Sequence, residues 1–270
     1  MFSILALTGF EAPAPLAEET RRPHHFISQA IFTSLLIVGV FYVFMAYASA
    51  VGWGTGNLSA FAADDAYPYY VLARKHWGVG WWLVFFALIN GALAVAISAT
   101  NAATRVMYAM ALTGMLPAAL QRIHPIHKTP YLAVHAHQLA LIGSFLMVGV
   151  VFGASKIFDF LGTLTALAAI ALYIPANIAL TVFVRREHPA DFNLWSHGMA
   201  PVAATLFLLP VIVVTVWSNP DYPLSLTPWI FVAMMLVGFV VMKIIERRRP
   251  EALAGTSVFG PDCQPGPSQE

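Results

Sequence analysis

The chain has 270 residues, of which 59% are hydrophobic and 10% charged, with a formal net charge of +1 and a mean hydropathy of +0.72. Soluble domains carry about 25% charged residues, so a soluble domain is excluded and an integral membrane protein is implied. The single cysteine, Cys263, excludes an intrachain disulfide, and long apolar runs without period-two alternation point to helices rather than an outer-membrane barrel.

The first apolar segment, Met1–Leu16, is short against the roughly 20 residues that cross a bilayer. It is broken at Thr8-Gly9-Phe10-Glu11 and again by Pro13 and Pro15. No Lys or Arg precedes Arg21, so the basic start of a secretory signal is missing. The chain reads as opening directly inside a helix, with further sequence expected upstream. A glycine lets the backbone leave helical geometry and lets a ligand approach it, and prolines donate no hydrogen bond, which frees nearby carbonyls. An ionised carboxylate at mid-membrane depth costs about 2.5–3.5 kcal/mol on insertion scales, so Glu11 marks a functional position by default. Freed carbonyls suit an ammonium, while the amides and positive dipole of a following half-helix suit a carboxylate. Together they complement an α-amino acid zwitterion, as in the broken helices of secondary transporters. A proline-kinked structural helix is the alternative.

Six further segments follow: Phe26–Val51, Gly78–Ala103, Tyr131–Phe152, Ile157–Val184, Met199–Trp217 and Pro228–Ile245. The expected architecture is therefore an all-α membrane protein of about seven transmembrane helices. Residues 1–245 form its membrane domain, and the Pro/Gly/Ser-rich residues 246–270 are expected to be a disordered cytoplasmic tail. Alternating sides along these segments places eleven of the fourteen Lys and Arg on one side and only Arg74, Lys75 and Lys156 on the other. The positive-inside rule then puts the N-terminus outside and the C-terminus in the cytoplasm. Trp53, Trp77, Trp81, Trp82, Trp217 and Trp229 stand near span ends, where interfacial anchors belong.

Neither an enzyme nor a nucleic-acid binder is readable here. No G-x-S-x-G elbow or H-E-x-x-H zinc motif occurs, so no catalytic residue, metal ligand or cofactor is assigned. The basic residues sit at helix ends, where topology accounts for them. His135 and His137, two apart, do not share a helix face and have no acidic or cysteine partners; with His124 and His127 they read as interfacial histidines. Glu18 and Glu19 beside Arg21 and Arg22 read as a solvated cluster or a gating ion pair.

Gly9-Phe10-Glu11, followed by Glu18-Glu19-Thr20 and Pro23, resembles the sixth helix of bacterial permeases of the amino acid–polyamine–organocation (APC) superfamily. Asn101-Ala102-Ala103-Thr104-Arg105-Val106-Met107-Tyr108-Ala109-Met110-Ala111, then Gly114-Met115-Leu116-Pro117, resembles the end of that family's eighth helix and its cytoplasmic continuation. His124-Pro125 and Lys128-Thr129-Pro130 are similar to its approach to the ninth helix. Such permeases have two inverted five-helix repeats and two additional helices. This chain resembles helices six to twelve, the second inverted repeat plus those two, with the first repeat missing. Two departures stand out: Leu112-Thr113 replaces a frequent Arg-Asp, and Ser28 a frequent proline.

The resemblance implies transport of an amino acid or related amine by alternating access in the cell (inner or plasma) membrane, through a multi-pass protein. It places Thr8, Gly9, Phe10 and Glu11 at the substrate. Backbone groups of Thr8 and Gly9 contact the amine, and Phe10 is a gate or a packing residue. Glu11 binds a cationic group, carries a proton, or pairs with a residue of the missing repeat. Ser98, Asn101 and Thr104 lie at i, i+3 and i+6 and read as one helix face. Ser98 and Asn101, with Glu11, are the ion-binding or coupling candidates, serving H+ coupling or, as the less favoured alternative, Na+; ordinary interhelical hydrogen bonding is the other reading. The expected partners are a small-molecule amino acid substrate, the lipid bilayer and a separately encoded N-terminal half, with no nucleic acid. The alternative is a truncated or split-permease subunit that cannot transport alone.

Overall fold

The computed structural model describes residues 2–15, 23–57, 61, 68–217 and 222–248. Among them every regular element is helical, and the α-helices are α1 (Phe2–Leu7), α2 (Pro23–Trp53), α3 (Pro68–Trp77), α4 (Trp82–Leu112), α5 (Tyr131–Phe152), α6 (Ile157–Glu187), α7 (Ala200–Trp217) and α8 (Thr227–Arg248). A 3-10 turn at Gly78–Trp81 joins α3 to α4, and a π-helical turn at Leu194–Met199 leads into α7. Six stretches are long and apolar enough to cross a membrane. The expected seventh, at the N-terminus, is the six-residue α1 and the broken segment after it.

The described residues divide into two compact units. One takes residues 2–8, 110–119 and 138–248, with α6 at its centre. α6 packs against α1, α7 and α8. Its buried residues Phe160, Thr163, Ala166, Leu167 and Ile170 recur every three or four positions, so they form one stripe. Ala166 and Ile170 have no exposed surface and Thr163 retains 2%. Small residues in such a stripe let helix backbones approach closely, which drives association where hydrophobic burial cannot. Asn177 Nδ2 donates to Thr205 Oγ1 across the α6–α7 pair at 3.4 Å.

The other unit takes residues 9–57, 61, 68–109 and 120–137. Here α3 returns against the end of α2, where the His76 ring nitrogen Nε2 lies 3.2 Å from the Gly52 carbonyl. Tyr70 meets Trp81 edge to face at 5.1 Å, seating α3 on the turn that follows it. The side chains of α2 from Phe32 to Tyr47 remain mostly exposed, among them Phe32, Leu36, Val40, Val43 and Phe44.

Two boundaries differ from those read along the sequence. The stretch 52–77 reads as a loop, yet contains α3; its Arg74, Lys75 and His76 cluster in the last turn, where cations complement the helix dipole. The third span is expected to end at Ala103, but α4 continues to Leu112. Nothing between Thr104 and Leu112 breaks a helix, and the chain stops only at Gly114, with φ +80. There the amides of Met115 and Leu116 both donate to the Met110 carbonyl, at 2.9 and 3.1 Å, closing the helix end in the manner of a left-handed C-terminal cap. At the C-terminus α8 runs on through Glu246 to Arg248, and Lys243 and Glu246 form an ion pair at 2.7 Å. The remaining tail, and Glu18 and Glu19 with Arg21 and Arg22, lie outside the described residues.

Gly114–Pro117, just past α4, and Ile244, Ile245 and Arg248, at the end of α8, line one groove. The two helix ends that alternation assigns to the same side of the membrane are thus found together.

Candidate functional site

The break is built from short local bonds. α1 ends at Leu7, and the Thr8 amide donates to the Leu5 carbonyl at 3.2 Å, a tightened last turn. Gly9 then takes φ +110, a conformation that side-chain-bearing residues rarely adopt. A Cβ built on Gly9 would meet nothing within 4 Å, so torsion, not crowding, makes glycine the fitting residue.

The Gly9 amide donates to Glu11 Oε2 at 2.9 Å. A charge-assisted bond of this kind is stronger than a neutral one. Through it the Glu11 carboxylate satisfies the amide exposed where the helix stops. Two further turns follow, with the Ala12 amide on the Gly9 carbonyl at 3.0 Å and the Ala14 amide on the Glu11 carbonyl at 2.8 Å. Pro13 and Pro15 fall where their missing N–H groups are not needed to extend a helix. Thr8, Phe10 and Glu11 are half-buried and Gly9 is exposed.

The four break residues are therefore held together by chain connectivity and by the Gly9–Glu11 bond. That bond is a role for Glu11 that sequence reasoning missed. A carboxylate two residues after a glycine at a helix break is the signal that could have shown it, since a Glu side chain can reach back to a nearby backbone N–H.

The hydroxyl and amide candidates on α4 behave differently from one another. Ser98 and Asn101 are exposed, whereas Thr104 keeps only 2% of its surface. The Thr104 hydroxyl lies 2.8 Å from the Thr100 carbonyl and 3.2 Å from that of Asn101. The single-face reading of all three fails for a geometric reason: at 100° per residue, position i+6 has turned about 120° from position i.

His124 is a turn-former. Its Nδ1 accepts the amides of Ile126 and His127, both at 3.3 Å, while its own amide donates to the Thr129 carbonyl at 2.8 Å. This network builds the reversal that leads from Pro125 to α5. Among the described residues no group of three or more His, Cys, Asp or Glu could hold a metal ion.

Comparison with known proteins decides the family. The amino acid permease pattern matches residues 1–249, nearly the whole chain and all six long apolar stretches. The chain belongs to the amino acid permease family. Within the APC superfamily it is similar to the branched-chain amino acid permease BcaP of Bacillus subtilis, with 28% identity over 249 residues, 90% of this chain and 49% of BcaP. It is similar also to cationic amino acid transporter 5 of Arabidopsis thaliana, 26% identical over 76% of this chain and 33% of that protein. The low-affinity putrescine importer PlaP of Escherichia coli is 30% identical over 54% of this chain and 31% of PlaP. The chain spans about half the length of BcaP and about a third of the other two. No solved structure matches it. A permease with six long apolar helical stretches is a multi-pass protein of the cell membrane, and its family is one of transporters rather than enzymes.

Proposed function

We propose that this permease chain moves an amino acid or a related amine across the membrane by alternating access, with the break at Thr8–Glu11 as its share of the substrate site. The observation that carries this reading is the interruption at Gly9, held at φ +110 by the Glu11 carboxylate. A helix stopped there presents backbone groups to a ligand without leaving an uncapped amide. Three of the relatives, an amino acid permease, a cationic amino acid transporter and a putrescine importer, are named for substrates that carry an amine. An ammonium fits carbonyls near a helix C-terminal end such as that of α1. Thr8 and Gly9 would engage the amine through their backbones, with Phe10 covering it. Proton coupling fits an intramembrane carboxylate at Glu11; sodium held by Ser98 and Asn101 is the weaker reading.

A second reading is favoured by the length comparison and by α2. The chain spans about half of BcaP, and α2 keeps a row of exposed apolar residues with Gly39 at its centre. In this reading the chain works with a first five-helix repeat supplied by another polypeptide.

Uptake of a labelled mixture of amino acids and amines into proteoliposomes separates the two. Saturable uptake by the chain alone, raised by an imposed proton gradient, supports the first. No uptake by folded chain alone, restored when a five-helix N-terminal half is co-reconstituted, supports the second. No uptake in either form sinks both.

A further inference from the structure

The groove between the end of α4 and the end of α8 is lined by none of the break residues. It measures about 280 Å3 and is lined by Gly114, Met115, Leu116, Pro117, Ile244, Ile245 and Arg248. Its wall is apolar side chain and loop backbone, with one cation. α8 spans 22 residues, roughly 33 Å at 1.5 Å per residue, close to the hydrocarbon thickness of about 30 Å. Arg248 at its last position therefore stands at headgroup depth, while Ile244 and Ile245 stand one turn deeper.

The charges around it are not equivalent. Lys243 is neutralised by Glu246 at 2.7 Å. Arg248 has no ion pair among the described residues. The amides of Gly114, Met115 and Leu116 are turned to the Ala111 and Met110 carbonyls, and Pro117 has none, so the Arg248 guanidinium is the anion donor in this groove. An apolar trough with a single planar cation at its outer end matches an amphiphile whose phosphate takes a two-pronged bond and whose chain lies along isoleucines. Basic pockets between spans on the positive side of a membrane hold anionic lipid headgroups.

From this we infer that the α4–α8 groove is a binding site for one anionic phospholipid, with Arg248 on the phosphate and Ile244, Ile245, Met115 and Leu116 against the upper acyl chain. Soluble phosphate has only the one cation to gain and none of the apolar contact.

The test is native mass spectrometry of the full chain released from vesicles of equal phosphatidylcholine and phosphatidylglycerol, counting retained lipid. The wild type is expected to keep phosphatidylglycerol over phosphatidylcholine. Arg248→Gln should lower that preference about fivefold, the worth of one basic residue at an anionic surface, and Arg248→Lys should keep most of it. Arg247→Gln, beside the groove but not lining it, should behave as wild type, and millimolar inorganic phosphate should displace nothing. The inference is overturned by unchanged retention in Arg248→Gln, by equal losses in the two Gln variants, which would mean diffuse surface charge, or by displacement with phosphate, which would mean a soluble-anion site.

Discussion

The Glu11 carboxylate accepts the Gly9 N–H at 2.9 Å, so the acidic residue and the glycine of the break form one unit. The Gly9 amide lies past the end of α1, outside the helical ladder, and needs a partner from elsewhere. Here the sequence supplies its acceptor two residues later. The carboxylate that marks the break in the sequence is the group that caps it in the fold.

This pairing sets an order among substitutions of Glu11. Gln keeps an acceptor at the same reach, so Glu11→Gln should lower the thermal stability of the detergent-solubilised protein slightly. Glu11→Leu removes the acceptor and should cost about 1.5–3 kcal/mol, the range for a bond to a charged group. Equal melting temperatures for the two variants would show that the bond does not hold the break.

At Gly9 the expected penalty is independent of size. A Cβ meets nothing within 4 Å, but φ is +110, and a side-chain-bearing residue in such a region costs about 1–3 kcal/mol. Gly9→Ala and Gly9→Leu should therefore destabilise alike in thermal melts. A graded loss from Ala to Leu would mean that space, not torsion, selects glycine.

The α6 stripe makes a contrasting prediction. Ala166 has no exposed surface, and overfilling such a contact costs about 1–3 kcal/mol. The Asn177–Thr205 bond, at 3.4 Å, is of a type averaging about 0.6 kcal/mol in a membrane. Ala166→Leu should thus lower the melting temperature clearly more than Asn177→Leu. The reverse order would make the polar pair, rather than close packing, the glue of this unit.

These contrasts show what the sequence made legible. α5 begins at Tyr131 and ends at Phe152 as the apolar run predicts, because Pro130 and Gly153 punctuate it on both sides. α3 was not legible: its Arg74, Lys75 and His76 remove the hydropathy signal that marks a span. The last nine residues of α4 were hidden in the same way, since Arg105 ends the apolar run without ending the helix. The break at Gly9 could be read from a glycine and two prolines in an apolar segment. The Gly9–Glu11 bond went unread although its signal, a carboxylate two residues after the glycine, stood in the same segment.

His124 offers a test away from the break. Its Nδ1 accepts two amides, so His124→Asn, with an oxygen acceptor, should retain stability in thermal melts better than His124→Ala, by roughly 1 kcal/mol per lost bond. If Ala and Asn melt together, the turn stands without its side-chain acceptor.

Substrate recognition at the break is proposed to run through its backbone. The most direct check is saturable uptake of labelled amino acid by the transport-competent assembly, comparing wild type, Thr8→Val and Gly9→Leu. Backbone recognition predicts that Thr8→Val stays within a few-fold of wild type, because its carbonyl and amide persist. Gly9→Leu should abolish uptake while the assembly remains intact by size-exclusion chromatography. Wild-type uptake by Gly9→Leu would rule out backbone recognition at this break.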